Sequence, residues 1–240
     1  IKVSCDVYFY QIAREIGINK IAEVCKRFGL GKQVFREFFE ESNGLVPNKS
    51  WKKETLGTSW MVGETLSAGI GQGYFLATAA QLSLALAQLV NGGKKIDPHI
   101  VYRNKISPEI DKNNLASKRH IKIVRKALDD ATNTTNGTSY SSRISGKYKM
   151  GGKTGTSQVR VISSKEREDG IIKNKDLPWE MRDHGLFIGY GPVENPTYSI
   201  SVIVEHGGSG SGSAAPIASK IMKYIFKNKI NLKKKNLTNV

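Results

Sequence analysis

The run Tyr198 to Val204, "YSISVIV", limits this chain to few folds. Tyr198, Ile200, Val202 and Val204 alternate with Thr197, Ser199 and Ser201, the period-two pattern of a strand with one buried face. The segment "GLFIGYG" precedes it and is joined to it through "PVENP", so the two segments are expected to form an antiparallel hairpin. A third strand is expected from "YKMGGKTGTSQV", residues 148–159, lying beside that hairpin.

Helical patterns flank these strands. "SCDVYFYQIAREIG" places Tyr8, Ile12, Ala13 and Ile16 near helical spacing behind a capping-type Ser4 or Asp6, and Gly17 ends the run. "INKIAEVCKRFGLG" reads as a second short amphipathic helix closed by Gly29 and Gly31. From Lys32 to about Glu64 no clear periodicity emerges, and an extended loop with minor helix is expected. The strongest helix follows Thr78, which forms a capping box with Gln81, and Gly92 and Gly93 stop it. "KKIDPHIVYRNKI" reads as a strand pair or a strand turning at Pro98, "IKIVRKALDDATN" as a helix, and "SAAPIASKIMKYIFK" as a closing helix with Pro216 in its first turn. Helices, then a strand meander, then a helix make an α+β fold: an antiparallel β-sheet covered by helices.

The 240 residues suffice for one large domain, and no apolar run reaches the roughly 18 residues that span a bilayer. The formal net charge of +16 raises nucleic acid or an anionic membrane as partners. Much of that charge lies in "KNKINLKKKNLTNV", where aromatic residues are not interleaved with the lysines, so no stacking platform is formed and no nucleic-acid partner is expected. We divide the chain at residues 1–226, a folded domain, and 227–240, a basic, flexible tail. Gly69, Gly71 and Gly73 have G-x-G-x-G spacing with no apolar strand before them, and the dinucleotide fingerprint fails. Cys5 and Cys25 define no disulfide framework, and no Cys/His cluster suggests zinc. No cofactor and no metal are expected.

Gly151, Gly152 and Gly155 stand in a strand-like run with Lys153 among small residues. Glycine within a strand weakens it and often marks close approach by a ligand or another backbone. Gly155 leaves main chain uncovered, so an extended peptide could add to this strand. Lys153 supplies positive charge, and the hydroxyls of Thr154 and Thr156 suit a carboxylate. Flat alternation puts Lys153 and Gly155 on one face and the threonines on the other, so a twist is expected if all of them serve one guest.

The K-T-G string has a companion. In penicillin-recognising serine enzymes it accompanies S-x-x-K and an S-x-N or S-x-D element, and Ser4-Cys5-Asp6 stands upstream at a helix start. With "TLGTSWMVGETLSAGIGQGYFLAT", "GGKTGTSQV", "LPWEMRDHGLFIGYGPVENPTYSISVIVEHGG" and "AAPIASKIM", the chain from Ser4 to Phe226 resembles the C-terminal part of a class B penicillin-binding protein of the elongation-type peptidoglycan D,D-transpeptidase subgroup. The resemblance implies a penicillin-binding transpeptidase, serine β-lactamase-like fold, truncated at its N-terminus. It implies acyl transfer from D-Ala-D-Ala stem peptides through a serine ester, which β-lactams trap, at the periplasmic face of a bacterial inner membrane. Other cell-wall elongation proteins are the further partners it suggests.

By position, the resemblance makes Ser4 the proton-relay serine, Asp6 its partner and Lys153 the third catalytic residue. It makes Thr154, Gly155, Thr156 and Ser157 substrate-binding, with the Thr156 N–H as one oxyanion donor. The family's nucleophilic S-x-x-K lies upstream of S-x-D, so it is expected before residue 1, with this chain a piece unable to form an acyl-enzyme alone. Ser50-Trp51-Lys52-Lys53 matches the string but follows Ser4 in a polar stretch, and reads as a decoy. Rival readings are a non-catalytic partner-binding remnant, a basic nucleic-acid-binding protein, and a hydrolase for which no deacylating base is found.

Overall fold

The computed structural model describes residues 1–35, 37, 40–101, 114–160, 162 and 164–228. Three strands, β1 (Gly151–Ser157), β2 (His184–Gly191) and β3 (Tyr198–Val204), form an antiparallel sheet in the order β1-β2-β3. The third strand thus lies where the sequence suggests, at an edge of the sheet.

Helices cover both faces. On one, α7 (Ala215–Asn228) contributes Ala215, Ala218 and Met222 to a core with Met150 and Phe187, against which Tyr198, Ile200, Val202 and Val204 pack. The period-two face of β3 is therefore the α7 face. On the other, α4 (Ala79–Val90) and α5 (Lys118–Asn133) bring Leu86, Val90 and Leu128 against Tyr190, and Ser83 on α4 bonds Ser199 on β3 at 2.9 Å.

The α7 face of β2 carries Gly185, Phe187, Gly189 and Gly191, alternate positions of one strand. A Cβ at Gly185 would strike Ser213 and Ser209, one at Gly189 the Phe187 ring, and one at Gly191 Phe226. Phe187 is fully buried, and its ring also occupies the space a Cβ on Gly152 of β1 would need. The Tyr190 ring fills the corresponding space at Gly151. The glycines at 151 and 152 therefore record close approach of aromatic rings, and at 152 of the Ile188 carbonyl, rather than of a ligand.

Several local readings change. α1 runs Asp6–Arg27 with a break at Gly17 (φ 75°, ψ 158°), so the two expected helices join at a kink. Its N-cap is Cys5, which makes no side-chain cap, with Asp6 as the first helical residue. The unpatterned stretch holds α2 (Lys49–Leu56) and the start of α3 (Val62–Gly69). Its charges hid them: the nearly buried Lys52 ammonium meets Glu64 at 2.5 Å and the Ser59 carbonyl at 2.9 Å. Burial works against charge on Glu64, but Lys52, the Met61 N–H and the Tyr74 hydroxyl outweigh it and hold the carboxyl below its ordinary value. No strand forms over 94–101, while 102–113 and the basic tail from 229 lie outside the described residues.

α1 and α3 cross closely, since a Cβ at Gly69 would overlap that of Ala13. This crossing brings the start of α1 and the loop after α3 to the exposed edge of β1. The segment between β1 and β2 contains α6 (Ser164–Asp169) and two short 3-10 turns, and Arg160 clasps the Glu166 carboxylate through two bonds of 2.6 and 2.5 Å.

Candidate active site

Among the described residues β1 pairs only with β2, so its other edge faces a groove. The Lys153 ammonium reaches across it to Ser4 Oγ at 2.5 Å. It also donates to the Thr154 carbonyl at 2.6 Å and contacts Thr154 Oγ1 at 3.3 Å. Thr154 Oγ1 in turn donates to Thr138 Oγ1 at 3.2 Å. Two residues 149 positions apart thus share one hydrogen bond.

Ser4 sits just before α1 with a left-handed backbone (φ 49°), uncommon for a residue bearing a side chain. That turn presents its hydroxyl at the helix mouth beside Asp6. Ser4, Asp6, Lys153, Thr154, Gly155 and Thr156 all line one groove of about 1040 Å³. The opposed register pairs Lys153 with Ile188 and Gly155 with Leu186, and the two threonines with Phe187 and Gly185, which preserves simple alternation. Because β1 is an edge strand, groups from both faces still border the same opening. Gly155 has only the Leu186 Cβ within reach of an added methyl, and it alone of the three glycines is left bare toward the groove.

Other residues are placed elsewhere. Ser157 pairs with His184 at the end of β1, outside the groove lining. Ser50 and Lys53 are exposed on α2, with Lys52 turned inward to Glu64. His206 is not in the lining either: its ring lies tilted against that of Trp179, centroids 4.4 Å apart, and its backbone N–H donates to His184 Nδ1 at 2.9 Å. Cys5 and Cys25 are both free. The groove gains further polar residues that the motifs did not point to, among them Gln72, which donates to the Thr156 carbonyl at 3.0 Å, and Asp183.

Burial pushes the Lys153 ammonium below its ordinary value near 10.5, while the Asp6 carboxylate pulls the other way. A lysine with a lowered folded pKa holds fewer protons folded than unfolded between the two values, so it costs stability near neutral pH and that cost fades as pH rises. Its charge at the groove is lost as pH climbs through the lowered value. Asp6→Asn removes the supporting carboxylate, and the Lys153 midpoint, followed by the Cε chemical shift, should move further down. An unchanged or higher midpoint would mean that Asp6 does not support this charge.

An edge strand carrying a lysine against a helix-mouth serine, in an antiparallel sheet covered by helices, is the arrangement of the penicillin-recognising serine enzymes. The chain belongs to the family described as penicillin binding protein transpeptidase domain, which it matches over residues 1–223. It is 35% identical over 235 residues to the peptidoglycan D,D-transpeptidase MrdA of Salmonella typhimurium, covering 94% of this chain and 37% of that protein. To MrdA of Haemophilus influenzae it is 34% identical, covering 95% and 36%. Among solved structures, the penicillin-binding protein PBP2 of Helicobacter pylori in complex with MreC is similar at a TM-score of 0.80 and 33% identity, over 95% of this chain and 39% of that one. PBP2 of Pseudomonas aeruginosa in complex with WCK 5153 gives 0.75 and 33%, over 91% and 46%. The chain thus spans less than half the length of these relatives.

Proposed function

We propose that this chain supplies one wall of the active site of a peptidoglycan D,D-transpeptidase acting in cell-wall elongation. The contact of Lys153 with Ser4 across the groove carries this reading. A nucleophilic serine, on a Ser-x-x-Lys segment upstream of residue 1, attacks the carbonyl between two D-alanines. Its proton passes to the lysine of that segment. Ser4 relays a proton to the departing amine, with Asp6 and Lys153 fixing its hydroxyl. The free carboxylate of the stem peptide lies near Lys153, Thr154 and Thr156. The Thr156 N–H, on the open edge, serves as one donor to the developing oxyanion. A second peptide's amine then attacks the ester and releases the serine with the cross-link formed.

The interior of the groove supports the upstream segment. Val24, Phe28, Leu82, Leu86, Val124 and Leu128 line it, an apolar wall suited to the buried start of a helix. No helix among the described residues is long and apolar enough to cross a membrane. In our reading, an anchor in the bacterial inner membrane and contacts with other elongation proteins, of the kind seen between PBP2 and MreC in the Helicobacter pylori complex, belong to the whole protein.

Fluorescent penicillin tests the reading. The chain extended upstream through its Ser-x-x-Lys should take up label, and residues 1–240 alone should not. Labelling of residues 1–240 that Ser50→Ala abolishes would overturn the assignment of the nucleophile. Silence of the folded, extended chain would instead favour a non-catalytic remnant.

A further inference from the structure

The open edge of β1 is already occupied. In an edge strand, the N–H and C=O of alternate residues point outward, where an added strand would bond them. Two carbonyls two residues apart, those of Thr154 and Thr156, accept side-chain donors from the groove: Lys153 Nζ at 2.6 Å and Gln72 Nε2 at 3.0 Å. A peptide N–H aimed at either carbonyl therefore competes with a donor that the protein itself supplies.

The two bonds differ in strength. That of Lys153 is charge-assisted, short and partly buried, and a bond of that kind is worth roughly twice a neutral one. That of Gln72 is neutral, longer and open to solvent. The Thr156 carbonyl is the acceptor that yields first.

Gln72 is also held where it can perform this role. Gly71 and Gly73 on either side have φ of 80° and 81°, a conformation that side-chain-bearing residues rarely adopt. A Cβ at Gly71 would meet nothing within 4 Å, and at Gly73 only Ser67 at 3.8 Å, so conformation rather than space calls for glycine there. The Gln72 N–H bonds back to the Ser67 carbonyl at 3.0 Å and ties the loop to the end of α3. The loop is a fixed mount with one side chain directed at β1.

We infer that Gln72 is a specificity-determining gate: its carboxamide bonds the Thr156 carbonyl and yields it to an N–H of the acyl donor. The inference rests on the transpeptidase reading. In the exchange, the donor's amide N–H replaces the Gln72 N–H on the Thr156 oxygen, and the freed carboxamide turns to water. An acyl donor with an amide N–H at this place recovers the displaced bond. One without it either leaves Gln72 in position or strands the carbonyl, so the gate ranks acyl donors by whether they carry that N–H.

The test uses the extended chain and two β-lactams: benzylpenicillin, whose side chain carries an amide N–H, and a carbapenem, whose hydroxyethyl side chain does not. The second-order acylation constant is measured for each. In Gln72→Ala and Gln72→Met, the ratio of the benzylpenicillin constant to the carbapenem constant should rise about two- to ten-fold, the effect of removing one exposed neutral competitor. Methionine keeps the bulk but cannot donate, so agreement between the two variants assigns the effect to the hydrogen bond. A ratio that stays level or falls, in variants still acylated by the carbapenem, overturns the gate. If the unsubstituted chain reacts with neither compound, the transpeptidase reading fails and the gate falls with it.

Discussion

Replacing Lys153 with methionine is expected to slow β-lactam acylation of the extended protein by roughly 10²–10⁴, the range for disabling a positioned proton-transfer group, here the Ser4 hydroxyl that Lys153 holds in the proposed mechanism. The ammonium touches Ser4 Oγ at 2.5 Å and the Thr154 carbonyl at 2.6 Å, so one substitution unties both the Ser4 hydroxyl and the strand edge. Methionine keeps most of the stem, and burial already disfavours the charge it removes, so stability should hold or rise slightly. Stopped-flow acylation beside a denaturation curve separates the two effects. A loss below ten-fold, with folding intact, would leave Lys153 as a bystander to the chemistry.

Phe187→Ala should act on stability instead, lowering it by about 3–5 kcal/mol. The side chain is fully buried among Met150, Ala215, Ala218 and Met222, and its ring also covers Gly152 and Gly189. Alanine would leave a void bordered by two glycines that carry no atoms to collapse into it. Urea denaturation should show a lower midpoint with little change in slope. A shift below 1 kcal/mol would mean that α7 closes onto the sheet without the ring.

Much of this arrangement was legible in the residues. The alternation at 198–204 named the buried face of β3, and Thr78 with Gln81 marked the start of α4, where both cap bonds form. The pairing of Ser4 with Lys153 followed from motif order, and their 2.5 Å contact agrees with it. What was not legible depends on long-range packing. α2 and α3 lack an apolar period because Lys52 and Glu64 face inward and neutralise one another, a pairing that only the fold reveals. Gly151 and Gly152 suggested a guest, but aromatic rings from β2 claim their space. Gln72 has a signal that the G-x-G-x-G spacing masks: two glycines flanking one polar residue, which is also how a chain fixes a single side chain in place.

The glycine-lined rear of the sheet restricts how such an enzyme could evolve away from an inhibitor. A methyl added at 152, 185, 189, 191 or 210 would collide with main chain or packed side chains, so the K-T-G strand cannot retreat from a drug. Escape has to come from the front, through the helix mouth or the loop carrying Gln72, where, on the proposed function, changes also reach the peptide substrate. Selection under a β-lactam should therefore concentrate its successful substitutions on that rim and leave the back of the strand unaltered.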